Sequence, residues 1–345
     1  MIQVEKHIIN HNASAREAFR QINEVSLIPI LFVVDDQQQC IGSLTDGDLR
    51  RFILKDGNLE TNVKALSNPN FHYLTAENNT IPYLKTVKER RYVPLLDANG
   101  RIVKIFDFNL GESYIPCSAL IMAGGKGTRL MPLTADTPKP LLKVGERTIL
   151  DITISRLVKM GIQHIYISVH HLKEQIIAFV EGQNYDAQMH FVEELEPSGT
   201  LGAIKYMGDW KYDHLLVMNS DLLTNINFES FLEDTIAQDA WMSVVSIPYK
   251  VAVPYAVMDT DKGFVKGLRE KPTLTFQTNA GIYMINKRSL QFYGGQIPFN
   301  APDLMEILME NEKAVRSYSF NDYWLDIGKH ADFDKAQEDV KNLSL

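Results

Sequence analysis

Residues 1 to about 112 contain a weak internal repeat. A repeat constrains architecture more than any other feature, because each copy is a unit that must bury its apolar face against a neighbour. The first copy reads ILFVVDDQQQCIGSLTDGDLRR and the second YVPLLDANGRIVKIFDFNLGE. Each is a strand, a polar turn and a second strand, and each follows a helical stretch, at 13–24 and 80–90. Two helix, strand, turn, strand units are predicted, forming an α+β domain over 1–112.

From Ser113 the pattern changes to alternating buried strands and amphipathic helices, the signature of a mostly parallel sheet with helices on both faces. Strands are expected at 117–122, 162–169, 189–192, 215–218, 242–247, 281–285 and 315–320. Helices are expected at 150–159, 172–180, 203–208, 228–238, 303–311 and 331–342. The predicted fold class for 113–345 is a doubly wound α/β domain whose mixed, mostly parallel sheet is Rossmann-like. A length of 345 residues fits two cores better than one.

With 45% hydrophobic and 23% charged residues, the chain has enough apolar material for both domains to fold. Its formal net charge is -8 and it carries no dense basic run, which excludes nucleic acid as an expected partner. No apolar run reaches membrane-span length and the first residues carry no basic-then-apolar leader, so a cytoplasmic protein without membrane contact is expected. The two cysteines, Cys40 and Cys117, sit in apolar strand-like runs without partners at metal-ligand spacing and are read as buried bystanders.

The first strand of the second domain runs into Ala123-Gly124-Gly125-Lys126-Gly127-Thr128-Arg129-Leu130, then Pro132-Leu133-Thr134. Glycines here let backbone N–H groups turn inward around an anion, and Lys126 and Arg129 supply charge. The spacing is neither a Walker A loop nor a dinucleotide fingerprint. Downstream, Pro138-Lys139-Pro140 sets a cation between two residues of fixed φ. The whole run AGGKGTRLMPLT followed by PKPLL resembles the signature of the nucleotidyltransferase family of nucleoside-diphosphate-sugar pyrophosphorylases, and the resemblance extends through most of 117–340. It implies an enzyme that joins a nucleoside monophosphate, taken from a nucleoside triphosphate (NTP), to a sugar 1-phosphate and releases pyrophosphate. Arg129 and Lys139 inherit the binding of triphosphate and the stabilisation of pentacoordinate phosphorus. Ala123, Gly124, Gly125, Lys126, Gly127 and Thr128 inherit the nucleotide loop.

Leu215-Leu216-Val217-Met218 ends in Asn219-Ser220-Asp221, which puts an aspartate at a strand's carboxyl end, where open α/β sheets collect ligands. Trp324-Leu325-Asp326-Ile327-Gly328 offers a second. Two carboxylates can share Mg²⁺, which prefers oxygen ligands. Both match the family's metal-binding aspartates; otherwise Asp221 is a helix cap and Asp326 a turn former. Glu270-Lys271-Pro272 resembles the sugar-phosphate element, so Glu270 is expected on sugar hydroxyls and Lys271 on the phosphate, with Asn279 and Gly281 beside them. Ala256 and Leu222 depart from residues common in the family and leave the sugar open.

Aligned on Gly199 of PSGTLG, Glu194 falls where thymidylyl and uridylyl relatives often carry Gln. A carboxylate accepts only, and can take both N1–H and N2–H of guanine, so GTP is the first choice. Some uridylyl relatives also carry Glu here, which keeps a uridylyl- or cytidylyltransferase as the alternative. His170 and His171 are read as loop residues, since a sugar phosphate is already anionic and needs no general base.

The N-terminal half resembles a tandem pair of CBS modules, on the motif Gly42-Ser43-Leu44-Thr45-Asp46-Gly47-Asp48. The resemblance implies that Thr45 and Asp48 hold the ribose and phosphate edge of an adenine nucleotide and that the half builds a homo-oligomer. In the second copy their counterparts are Asp107 and Leu110, so one intact site is expected. The competing reading makes TDGD a helix cap. A regulatory binding protein without turnover is the rival to an enzyme.

Overall fold

The computed structural model describes residues 2–25 and 27–343. The chain divides into two compact units, one ending at Ile115 and the other starting at Pro116. In the first unit the leading copy is larger than expected. Helix Ala15–Glu24 starts at a capping box of Ser14 and Glu17, and strands Ile30–Val34 and Cys40–Thr45 pair antiparallel. A further strand, Ile8–Asn10, pairs parallel with Ile30–Val34, and helix Asp46–Ile53 follows. The second copy has helix Ile81–Lys88 and strands Tyr92–Leu96 and Ile102–Asp107. It then stops after one 3-10 turn, Phe108–Leu110, because Gly111 takes a left-handed conformation (φ 71°) that ends the turn. Cys40 is only half-buried, contrary to expectation, although burial pushes its thiol up to about 12; Cys117 is fully buried.

The second unit is built on a seven-stranded sheet. Its strands are β1 (Ser118–Met122), β2 (His164–Val169), β3 (Gln188–Glu193), β4 (His214–Asn219), β5 (Met242–Ala252), β6 (Thr273–Asn286) and β7 (Val315–Ser319), in the spatial order β3-β2-β1-β4-β6-β5-β7. Only β6 runs against its neighbours. Consecutive residues of the central strands are buried, among them Ala119, Leu120 and Ile121, so both faces of the sheet are covered. On one face Leu120, Val217 and Tyr283 pack on Leu304 and Leu308 of helix Ala301–Glu310.

The strands β5 and β6 outrun the predicted segments. Their outer halves are exposed on both faces, and between them hang Val257–Asp261 and Phe264–Arg269, an antiparallel hairpin that the sequence did not reveal. Exposed Met258, Phe264 and Leu268 look like core positions by composition alone.

Candidate active site

The floor of the site is the carboxyl edge of the parallel strands. Asn219, Met122 and Ser168 lie in register across β4, β1 and β2. All three line a cavity of about 510 Å³. From β1 the chain winds outward through β2 and β3, then returns to β4 on the other side of β1, which makes this edge the switch point where open sheets gather ligands.

The Gly-rich loop leaving β1 forms one wall. Gly124, Gly125, Lys126, Gly127, Thr128 and Arg129 line the cavity. Ala123 does not: it is buried, and its N–H is tied to the Ser168 carbonyl at 3.1 Å. Gly124 is required by close approach, since a Cβ there would stand 2.9 Å from Glu194 Oε1.

A second wall carries the charge. Lys139 opens the 3-10 turn Lys139–Leu141 and is 9% exposed, so its ammonium needs partners. Its Nζ donates to Asp221 Oδ2 and lies 4.0 Å from Asp326 Oδ1. Two short strands, Leu222–Thr224 and Trp324–Asp326, pair antiparallel with Leu222 opposite Asp326, and the Ile327 N–H donates to the Asp221 carbonyl at 3.0 Å. Leu222 is buried in this strand pair and is not among the residues lining the cavity. Burial, and then the neighbouring Asp221 carboxylate, push the Asp326 carboxyl above its ordinary value; Lys139 and Arg129 oppose them without prevailing. Asp221 Oδ1 and Asp326 Oδ1 are both buried without a hydrogen-bond partner among the described residues. Two orphaned, convergent carboxylate oxygens are the donor set that suits a hard divalent cation.

The third wall is the loop after β3. Glu194, Ser198, Gly199 and Thr200 line the cavity with Asn300. The loop is pinned to the start of helix Ala301–Glu310: Thr200 N–H donates to Asn300 Oδ1 at 3.2 Å, and Ala301 N–H donates to Thr200 Oγ1 at 2.8 Å. Ser198 donates to Glu194 Oε2 from both its backbone N–H and its hydroxyl. His170 is a loop residue as expected, yet it lines the cavity, with Nδ1 3.1 Å from the Glu194 carbonyl oxygen.

The expected sugar-phosphate residues are not among those lining this cavity. Glu270 and Lys271 are exposed where the hairpin returns to β6, and Lys271 holds an unusual φ of 42°. Asn279 accepts from the Gly281 N–H at 2.9 Å and donates to the Tyr283 hydroxyl at 2.9 Å. Gly281 is needed for packing: it has φ 71°, and a Cβ would fall 2.6 Å from Asn219 Nδ2. Sequence reasoning missed Ser198, Thr200, Asn219, Ser220 and Asn300 on the lining. The strand-end position signals Asn219 and Ser220, and the helix-start pattern Asn300-Ala301-Pro302-Asp303 signals Asn300; Ser198 and Thr200 sit in a loop whose path no periodicity predicts.

The first unit has its own cavity, of about 700 Å³, lined by Thr45, Asp48 and Arg51 of the first copy and by Arg90, Arg91 and Tyr92 of the second. Thr45 and Asp48 form a capping box, with Thr45 Oγ1 donating to Asp48 Oδ2 at 2.6 Å. TDGD is thus a helix cap, and one that faces the cavity. The counterpart Asp107 is committed to Arg91 at 3.1 Å.

The model of the nucleotidyl transferase family matches residues 118–342, and that of the CBS domain matches residues 5–55. Mannose-1-phosphate guanyltransferase of Candida albicans is 29% identical over 224 residues, covering 62% of each chain. The bifunctional protein GlmU of Methanococcus aeolicus is 29% identical over 65% of this chain and 55% of its own. The chain spans less than two thirds of the length of these curated relatives. Among solved structures, HddC from Yersinia pseudotuberculosis complexed with GMP-PN is 26% identical, with a TM-score of 0.50 over 65% of this chain and 99% of that one. A second crystal structure of HddC gives a TM-score of 0.52.

Proposed function

The chain belongs to the nucleotidyl transferase family, and on that premise we propose that it joins a nucleoside monophosphate to a sugar 1-phosphate with release of pyrophosphate. The observation that carries this reading is the convergence of Asp221, Asp326 and Lys139 beside the Gly-rich loop, with two carboxylate oxygens that have no hydrogen-bond partner among the described residues. Family members generally use a divalent metal. We assign Mg²⁺ to Asp221 and Asp326, where it would neutralise charge on phosphate oxygens.

In the proposed step an oxygen of the sugar phosphate attacks the α-phosphorus in line. The new P–O bond forms as the bond to pyrophosphate breaks, and pyrophosphate departs with that electron pair. Arg129 and Lys139 hold the triphosphate and offset charge as it builds, and the loop N–H groups orient it. No proton has to be removed from the nucleophile, so His170 keeps a structural role against Glu194. Glu270, Lys271, Asn279 and Gly281 keep the sugar-phosphate assignment, which requires the segment after Arg269 to reach the cavity when sugar phosphate binds.

GTP is the assigned donor. Glu194 supports it, as do the Candida relative, a guanyltransferase, and HddC, solved in complex with GMP-PN. For the first unit the assigned ligand is an adenine nucleotide at Thr45 and Asp48, acting as a regulator, and CBS pairing is assigned to a homo-oligomer. Pyrophosphate release from a panel of NTPs and sugar 1-phosphates tests the reading: release with GTP and one sugar phosphate is expected. Nucleotide binding without release from any pair would leave a regulatory binding protein instead.

A further inference from the structure

Glu194 is the group assigned to reading the base, and its carboxylate is already half engaged. Ser198 gives it two donors on the same oxygen, Oε2: the backbone N–H at 3.2 Å and the side-chain hydroxyl. We infer that Ser198 is a positioning residue for base selection, which occupies Oε2 and leaves Oε1 alone to read the base. The inference rests on the guanylyl-transfer reading.

Each carboxylate oxygen has two lone-pair sites, and the two Ser198 donors fill those of Oε2. Ser198 is fully buried, so its hydroxyl has no water to exchange for this bond. Bonds to an ionised acceptor are about twice as strong as neutral ones. The backbone of Glu194 is held as well, with its N–H on the Val169 carbonyl at 3.0 Å and its own carbonyl against His170 Nδ1. Oε1 therefore has a fixed place, against Gly124 at the cavity wall. A guanine edge cannot fork its two N–H groups across both oxygens; both must converge on Oε1. Uracil and thymine would turn carbonyls toward the same oxygen on either side of their single N–H.

The test is the ratio of kcat/KM for GTP to that for the next-best of UTP, dTTP, CTP and ATP. It is measured on the full chain for wild type, Ser198→Ala, Glu194→Ala and the double variant. Ser198→Ala should lower the ratio about tenfold, equivalent to ~1.4 kcal/mol. The double variant should match Glu194→Ala, which removes both carboxylate oxygens, because Ser198 acts only through Glu194. Ser198→Cys, whose thiol is a weak donor, serves as the second variant should the alanine protein not fold, and should fall in the same direction. A Ser198 that merely stabilises the loop would lower the melting temperature and leave the ratio at its wild-type value, or would subtract equally in both backgrounds. Either result overturns the inference. A wild type that prefers another nucleotide refutes the guanine reading, and the same cycle run on the preferred nucleotide still decides the role of Ser198.

Discussion

The Ile327 backbone N–H donates to the Asp221 carbonyl at 3.0 Å, so the peptide that follows Asp326 is bonded to the residue that carries the other carboxylate. Together with the Leu222 to Asp326 pairing, this sets the two acids side by side from distant parts of the chain. Main-chain bonds hold the pair, so a side-chain change at either acid leaves the framework in place.

Asp221→Asn and Asp326→Asn should therefore each fold and each lose turnover. Losing one charge of a metal clamp is worth several kcal/mol of barrier, and ~3 kcal/mol is roughly a hundredfold in rate. Pyrophosphate release is the readout, with circular dichroism as the check on folding. Wild-type rates in either variant would remove the metal assignment.

Lys139→Met should leave two half-buried carboxylates side by side without their cation. Breaking a fully buried pair costs ~3 kcal/mol or more, and the partial exposure of the two acids reduces that here. The melting temperature of this variant should drop clearly in EDTA and recover in part with Mg²⁺, which would sit among the orphaned oxygens. Equal melting temperatures with and without the ion would count against a metal at Asp221 and Asp326.

Gly281→Ala combines a left-handed φ of 71° with a Cβ 2.6 Å from Asn219 Nδ2. A strained conformation of this kind costs on the order of 1–3 kcal/mol. Adding Asn219→Ala should relieve the clash and leave the backbone strain, so chemical denaturation of the double variant should recover only part of the loss. Full recovery would show that contact alone, without backbone strain, makes glycine necessary.

Asp48→Ala removes the carboxylate half of the capping box at helix Asp46–Ile53 and leaves the bond from the residue-48 N–H to Thr45 Oγ1, so it should cost less than the ~1 kcal/mol of losing an N-cap residue. It should also abolish the adenine nucleotide response of turnover in the full chain. Burial alone would raise the Asp48 carboxyl, but bonds from the Thr45 hydroxyl and N–H and from Arg51 outweigh it and hold the group below its ordinary value. Its stabilising effect is thus complete above the ordinary carboxylate value and is lost as pH falls through the lowered one. Wild type should lose more stability than Asp48→Asn as pH falls from the ordinary carboxylate value to the acid transition, judged by denaturant midpoints. An identical pH dependence in the two proteins would discount the cap's charge.

Much of this was legible in the residue order, because periodicity and local chemistry act over a few residues. The alternation after Ser113, the glycines behind β1, the proline-flanked Lys139 and the aspartate at the end of β4 all announce themselves in one short window. What the tertiary structure decided depends on pairing between segments that no local pattern links. Lys139 meets Asp221 across 82 residues, and Ser198 comes to the cavity because residues 198–201 bond to the chain around Phe299 and Asn300. The exposed hairpin that leads to Glu270 and Lys271 escaped notice for the converse reason: its apolar residues carry the composition of a core strand, and only the fold determines whether anything covers them.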